Sequence, residues 1–289
     1  MKLTAGDFEL LKDEELVSQA REGERRALEI LLKRYQAFIY NVAWKMVGNP
    51  PDAEDVMQEV IIKVITNLSR FEGRSTFRTW IYRITINHML SMKKKSLEVR
   101  LTDFPDHQQA LANIPDREMT AAEEIEMAEY VEEVKIRCMS GVLLCLNREQ
   151  RLVYIVGDLL KLNHNMGAEL FEVSKDNFRQ RLSRARKDLY SYMNRQCGLV
   201  NKKNPCRCSK KTKHMVENGQ VDKNSLQFNL KTRKKFFEIA QERYSEAFGR
   251  IEEEYDKLYG GHPYKEELDV KVIHEILKDV EIQQLFNLN

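Results

Sequence analysis

The sequence predicts an all-α fold: two helical domains joined by a linker, followed by a helical C-terminal extension. Three observations predict it. Glycine (12) and proline (6) are scarce among 289 residues, while the strong helix formers Leu, Glu, Lys, Arg and Ala are frequent. Apolar residues recur at helical spacing from about Asp13 to Lys95 and again from about Ala122 to Tyr192. No convincing alternation of apolar and polar residues marks a strand, and no internal repeat is found. The expected organisation is a first helical domain over 13–96, an acidic linker over 97–121, a second helical domain over 122–195, a Cys/Lys-rich segment over 196–215 and a helical extension over 225–289.

Composition narrows the function classes. The net charge is only +2, but its distribution is uneven. Between Ser174 and Lys213 the bases are Lys175, Arg179, Arg181, Arg184, Arg186, Lys187, Arg195, Lys202, Lys203, Arg207, Lys210, Lys211 and Lys213, against only Asp176 and Asp188. Such a block suits a polyanion, although a charge run alone fits a solubilising surface at least as well. No segment reaches the roughly 18 apolar residues of a membrane span, and the acidic N-terminus is unlike a signal peptide. A cytoplasmic protein is expected, with its five cysteines as thiols or metal ligands rather than disulfides. The sequence carries no phosphate-cradling Gly loop, nucleophile elbow or metal-hydrolase motif, so an enzyme is not expected.

In the first domain, PPDAEDVMQEVIIKVITNL opens with prolines and acids that suit a helix N-terminus. Met57, Val60, Ile61, Val64 and Leu68 project to one side as a core face. Asp55, Gln58, Glu59 and Ile62 fall on the opposite face, where Ile62 is an aliphatic anchor among carboxylates. That arrangement suits a basic partner surface, or is an amphipathic helix with one stray isoleucine. In RFEGRSTFRTWIYRITINHMLSMKKK, Gly73 and Ser75 mark a loop with Ser75 as the helix cap. Phe77, Ile81, Ile84 and His88 share a face beside a stripe of Trp80, Arg83 and Asn87. Arg70, Arg74, Arg78 and Lys93–Lys95 surround them. Aromatics interleaved with bases serve single-stranded nucleic acid: bases stack on rings while cations follow phosphates. Trp80 serves either that role or the core.

The order DAEDVMQEV, RFEGRSTFRTWIYRITIN and a basic cluster resembles region 2 of extracytoplasmic-function (ECF) sigma factors of the sigma-70 family. The resemblance implies that Asp52, Glu54, Asp55, Gln58 and Glu59 dock on the β′ clamp of core RNA polymerase, with Ile62 on the same face. It implies that the loop Phe71–Thr76 and the following helix read the non-template strand of the −10 element, assigning that DNA to Phe71, Arg74, Ser75, Thr76, Trp80, Arg83, Asn87, Lys93 and Lys94.

The stretch from Leu146 to Met193 reads as helix, turn, helix. Leu152, Ile155, Val156, Leu159 and Leu160 form one apolar stripe, Glu172–Ser174 the turn with Ser174 as N-cap, and Phe178, Leu182, Ala185, Leu189 and Met193 the buried face of the last helix. Recognition helices read bases with their first turns. Asn177, Arg179 and Gln180 are therefore the base-reading candidates, and Lys175, Arg181, Arg184 and Arg186 the phosphate candidates. LNREQRLVY and the Val173–Arg186 stretch resemble region 4 of the same family, which implies −35 duplex binding and contact with the β flap. HNMGAELF departs from the family's usual acidic pair in the first helix of the motif. The resemblance also implies that the acidic linker, with Glu98, Asp103, Asp106, Asp116, Glu118, Glu123 and Glu124, threads polymerase channels; a plain tether is the alternative. It leaves open an anti-sigma factor as a further partner.

Beyond region 4, Cys197, Cys206, Cys208 and His214 can complete a tetrahedral zinc site, with a redox-sensing thiol cluster or inert thiols as rivals and no cofactor required for the main function. Cys138 and Cys145 are expected in the core. Phe236, Phe237, Ala240, Tyr244, Ala247, Ile251, Tyr255 and Leu258 form an apolar stripe, Gly260–Pro263 a break, and Leu268, Val272, Ile276, Leu277 and Val280 a last helix. The extension is expected to act in cis. The functional expectation is a promoter-specificity subunit; the alternatives are a free-standing helix-turn-helix regulator and a metal- or thiol-responsive DNA-binding sensor.

Overall fold

A computed structural model describes residues 5–222, 224, 226–227, 234–235, 263–280 and 282–283. The described residues are overwhelmingly helical, as expected. The exception is a two-residue antiparallel pair, β1 (Lys234–Lys235) and β2 (Pro263–Tyr264), with Lys234 opposite Tyr264. The apolar stripe from Phe236 to Leu258 lies outside the described residues. Two compact units result, one within 1–44, 51–92 and 265–289, the other within 45–50 and 93–264. This differs from the expected segmentation in two places: the linker belongs to the second unit, and the end of the extension belongs to the first.

The first unit is built from α1 (Ala5–Leu10), α2 (Asp13–Arg21), α3 (Arg25–Val47, all but its last turn), α4 (Pro50–Asn67) and α5 (Phe77–Ser91). The helical stripes meet in an aromatic-rich core. Phe38 stacks on Tyr82 with ring centroids 3.6 Å apart, and Tyr35 meets Phe77 edge-on at 5.8 Å. The predicted core face of α4 is buried throughout, from Met57 to Leu68. On α5, Phe77, Ile81 and His88 are buried as predicted, Ile84 is half-buried, and Tyr82, Ile86 and Met89 complete the inner face.

The second unit contains α6 (Ser96–Arg100), α7 (Phe104–Ala112), α8 (Ala121–Glu126), α9 (Ala128–Leu144), α10 (Arg148–Tyr154), α11 (His164–Leu170), α12 (Lys175–Gln196) and α13 (Cys208–Glu217). The 97–121 stretch is thus not a tether. Asp103 caps α7 by accepting from the Asp106 amide, and Pro105 stands in the first turn, where its missing N–H costs nothing. His107 on α7 is buried, its Nδ1 2.7 Å from the Tyr192 hydroxyl, and Phe104 stacks on Tyr192 at 4.7 Å.

The acids of this stretch are largely engaged. Glu98 is 2% exposed and pairs with Arg148 and Arg151 at 2.8 and 2.9 Å. Asp116, Glu118 and Glu123 pair with Lys211, Lys210 and Lys213 of α13. The lysines at the end of the basic block therefore neutralise acids of the same chain.

Arg151 is the polar centre of this unit. Its guanidinium donates to the carbonyls of Leu143 at 3.0 Å, Leu144 at 2.8 Å, Leu146 at 3.0 Å and Met46, and to Glu98. Leu143 and Leu144 lie in the last turn of α9 and Met46 in the last turn of α3, so one cation serves carbonyls at two helix ends. Burial alone would raise the Glu98 pKa. The hydrogen bond from Arg148 and the charge of Arg151 outweigh it and hold the carboxyl below its ordinary range.

Candidate nucleic-acid interface

α4 presents the predicted acidic face. Asp55 and Glu59 are exposed, Asp52, Glu54 and Gln58 half-buried, and Ile62 is 40% exposed among them. Ile62 is one of few large apolar side chains left in water, and its position amid acids gives the face an apolar anchor. Glu59 also approaches the ring of buried His88 at 3.1 Å, and Lys63 Nζ lies 2.8 Å from His88 Nδ1, so this face is tied to α5.

The loop between α4 and α5 is held from behind. Arg21 donates to the Leu68 carbonyl at 2.9 and 3.1 Å, to Ser69 at 3.2 Å and to Phe71, placing a cation at the C-terminal end of α4. Thr76, not Ser75, caps α5, accepting from the Thr79 amide at 3.2 Å. Gly73, at φ +72°, adopts the left-handed turn that lets the loop reverse. Phe71 departs from its predicted role. It is 6% exposed, 5.3 Å from both Phe77 and Trp80 by ring centroids, and it props the loop rather than facing solvent. Trp80 is half-buried against the rings of Phe71 and Phe77. Arg74, Thr76 and Asn87 are exposed, and Ser75 and Arg83 half-buried. Lys93 and Lys94 are exposed at the start of the second unit.

In the second unit the predicted helix-turn-helix is present. The Leu152–Leu160 stripe is buried, and one π-helical turn, Ile155–Leu159, widens the helix there, with the Leu160 amide donating to the Ile155 carbonyl at 2.9 Å. Ser174 caps α12 by accepting from the Asn177 amide, and Phe178, Leu182, Ala185, Leu189 and Met193 are buried. Within HNMGAELF, Gly167 faces the recognition helix. A Cβ there would lie 2.4 Å from the Phe178 ring, so glycine lets α11 close on the recognition helix.

The predicted DNA residues of α12 divide in two. Lys175, Asn177, Arg179, Gln180 and Arg184 are exposed along its outer side, with Arg179 59% exposed and 3.8 Å from Asp176. Arg186 is instead spent on Asp158, which is 2% exposed and accepts from it through both carboxylate oxygens. This pair fastens α12 to the π turn and removes Arg186 from the phosphate candidates. Arg181 pairs with Glu149 and donates to Asn177, which orders the outer side of the helix.

The thiols gather differently from expectation. Cys138 lies with Cys206, Cys208 and His107 around an apolar cavity of about 180 Å³, and the backbones of Cys197 and Cys206 pair as an isolated parallel β-bridge, both thiols free. Burial, reinforced by the neighbouring thiols, pushes the Cys208 pKa up to about 12 and raises those of Cys138 and Cys206. His214 stands apart on α13, facing Asn218 at 3.2 Å. Among the described residues, no group of three or more His, Cys, Asp or Glu side chains is arranged to hold a metal ion. Arg148 and Arg151 went unread in the sequence, although LNREQR carried both in a helix that otherwise reads as ordinary, and Glu98 reads there only as one of the linker acids.

Residues 31–97 match the family model for sigma-70 region 2, so the acidic helix, the loop and α5 form a sigma-type helical module. Relatives extend the match. The chain is 34% identical over 118 residues to the RNA polymerase sigma-H factor of Pseudomonas aeruginosa, covering 37% of this chain and 61% of that one. It is 37% identical over 79 residues to the ECF sigma-E factor of Haemophilus influenzae, covering 27% and 41%. It is 26% identical over 184 residues to the ECF sigma-E factor of Escherichia coli K12, covering 62% and 92%. The match to the first of these spans about three fifths of that relative's length and the match to the second about two fifths. A structure of CnrH in complex with the cytosolic domain of CnrY aligns at a TM-score of 0.44 and 20% identity, over 63% of this chain and 97% of that one. The chain is thus similar to ECF-type factors of the sigma-70 family, and its residues 31–97 match the family's region 2.

Proposed function

We propose that this chain is a promoter-specificity subunit that binds core RNA polymerase, recognises −35 and −10 elements and helps open the duplex. One observation carries the reading: the chain presents two basic helical surfaces of different build. The loop and α5 offer a half-buried aromatic with exposed cations, which suits an unpaired strand. α12 offers a capped N-terminus with Asn177, Arg179 and Gln180 exposed, which suits duplex bases in a major groove. The acidic face of α4 around Ile62 is the docking surface for the β′ clamp, and the second unit makes the β-flap contact. A free-standing helix-turn-helix regulator would have no use for the first surface or for the acidic helix.

On this reading the protein works by binding, in the cytoplasm beside the polymerase; among the described residues no helix is long and apolar enough to cross a membrane. An anti-sigma factor would compete for the surfaces that polymerase uses. In vitro transcription with core polymerase on genomic DNA, with start sites mapped, tests the proposal. Starts that share −35 and −10 sequences are expected. Transcription no different from core polymerase alone rejects it.

A further inference from the structure

The acidic α4 face has a neighbour from the far end of the chain. Residues 265–269 run along α3 without regular secondary structure and lead into a short helix, α14 (Lys271–Ile276). Asn41 of α3 is fully buried and spends its amide on the backbone of Lys265, donating to the carbonyl at 2.8 Å and accepting from the N–H at 2.9 Å. Gln36, also buried, donates to the Leu268 carbonyl at 3.1 Å, and His274 Nε2 lies 2.8 Å from Glu29. Positions 29, 36 and 40–41 recur along one stripe of α3, so a single helix face is devoted to this segment. Ile273 and Leu277 are buried as its apolar anchors. The Lys265 ammonium then sits 5.0 Å from the Tyr40 ring centroid and 3.5 Å from Glu54 of α4.

We propose that residues 265–280 form an internal lid on the α3–α4 face, in which Lys265 holds the place at Glu54 that a basic side chain of the polymerase takes when α4 docks. The inference rests on the reading of α4 as the docking helix. It names the occupant of the α3 stripe as this chain's own terminus and gives the extension a role: holoenzyme forms more readily when the lid is off. The backbone-directed contacts of Asn41 and Gln36 seat the segment in one register. The half-buried contacts of Lys265 with Glu54 and of His274 with Glu29 are single polar pairs, so the lid can be displaced.

The test uses the full chain carrying Lys265→Ala and His274→Ala together, which alters the lid and leaves α3 and α4 intact. Hydrogen exchange over 265–280 reports lid release, and titration with core polymerase reports affinity. Faster exchange in that segment together with binding tighter by about three- to tenfold is expected. Released exchange with unchanged or weaker binding overturns the lid, as does exchange that stays at the wild-type rate. An Ile62→Asp chain separates this from the parent reading. If it binds polymerase as well as wild type does, or if no form binds, the docking assignment itself fails.

Discussion

Replacing Glu98 with Gln should be among the most damaging near-isosteric changes in the second unit. The side chain keeps its shape but loses its charge beneath two guanidinium groups. Arg148 loses contacts of 3.0 and 2.8 Å, Arg151 one of 2.9 Å, and the Lys95 amide one of 3.1 Å, of which an amide oxygen can restore only part. Arg151 is 3% exposed, so it is left as a buried cation without its counter-charge. Removing one partner from a buried pair costs about 3–5 kcal/mol, which is a third or more of the stability of a typical domain. Urea unfolding at pH 7, followed by circular dichroism, measures it. The Arg151→Met chain should lose a similar amount because four backbone carbonyls lose their donor. The double variant should fall short of the sum by about 1.5 kcal/mol or more. A Glu98→Gln loss below about 1 kcal/mol, or strict additivity in the double variant, would refute the pair as the centre of this unit.

Other outcomes follow from the same contacts. Burial pushes the His107 pKa down to about 4 from an ordinary 6.5, so the fold holds it neutral while the unfolded chain takes up a proton. Its stabilising contribution is complete above pH 6.5 and is lost as pH falls towards 4; going from pH 7.5 to 5 should cost about 2 kcal/mol, and His107→Gln should flatten that dependence in urea titrations. Gly167→Ala should lower the thermal midpoint and weaken −35 binding together, because a Cβ 2.4 Å from the Phe178 ring forces α11 off α12; an unchanged midpoint would contradict the close-packing account. Arg179→Ala should weaken specific −35 binding by about 1–3 kcal/mol while leaving stability untouched. Arg186→Ala should do the reverse, costing roughly 3 kcal/mol of stability by stranding buried Asp158, and filter binding beside calorimetry separates the two.

The sequence made legible whatever is local and periodic. The buried faces of α4 and α12 and the Ser174 cap follow from spacing and side-chain chemistry within a few residues. Three features escaped because they depend on distant partners or on a residue used against type. The 97–121 stretch reads as a linker, yet Pro105, in the first turn after the Asp103 cap, opens α7. Glu98 reads as a solvated linker acid, yet Arg148 and Arg151, some fifty positions on, draw it into the interior. Arg186 reads as a phosphate ligand by its place in a basic run, and only the fold reveals Asp158 opposite it. Within the candidate site, exposure separates Phe71, which is buried, from Trp80, which is half-buried, a distinction that helical spacing alone leaves undecided. Cys138 reads as an ordinary core residue, and the fold sets it with Cys206 and Cys208 around one cavity in place of His214.

The central claim is that one chain reads duplex upstream and holds an unpaired strand downstream, on the polymerase. Footprinting of its holoenzyme on a promoter from its own genome, with permanganate to mark unpaired thymines, tests this most directly. Protection near −35 together with permanganate reactivity around −10 is predicted; Arg179→Ala should diminish the first, and Trp80→Ala the second. Duplex protection by the chain alone, with no reactive thymines when polymerase is added, would contradict it.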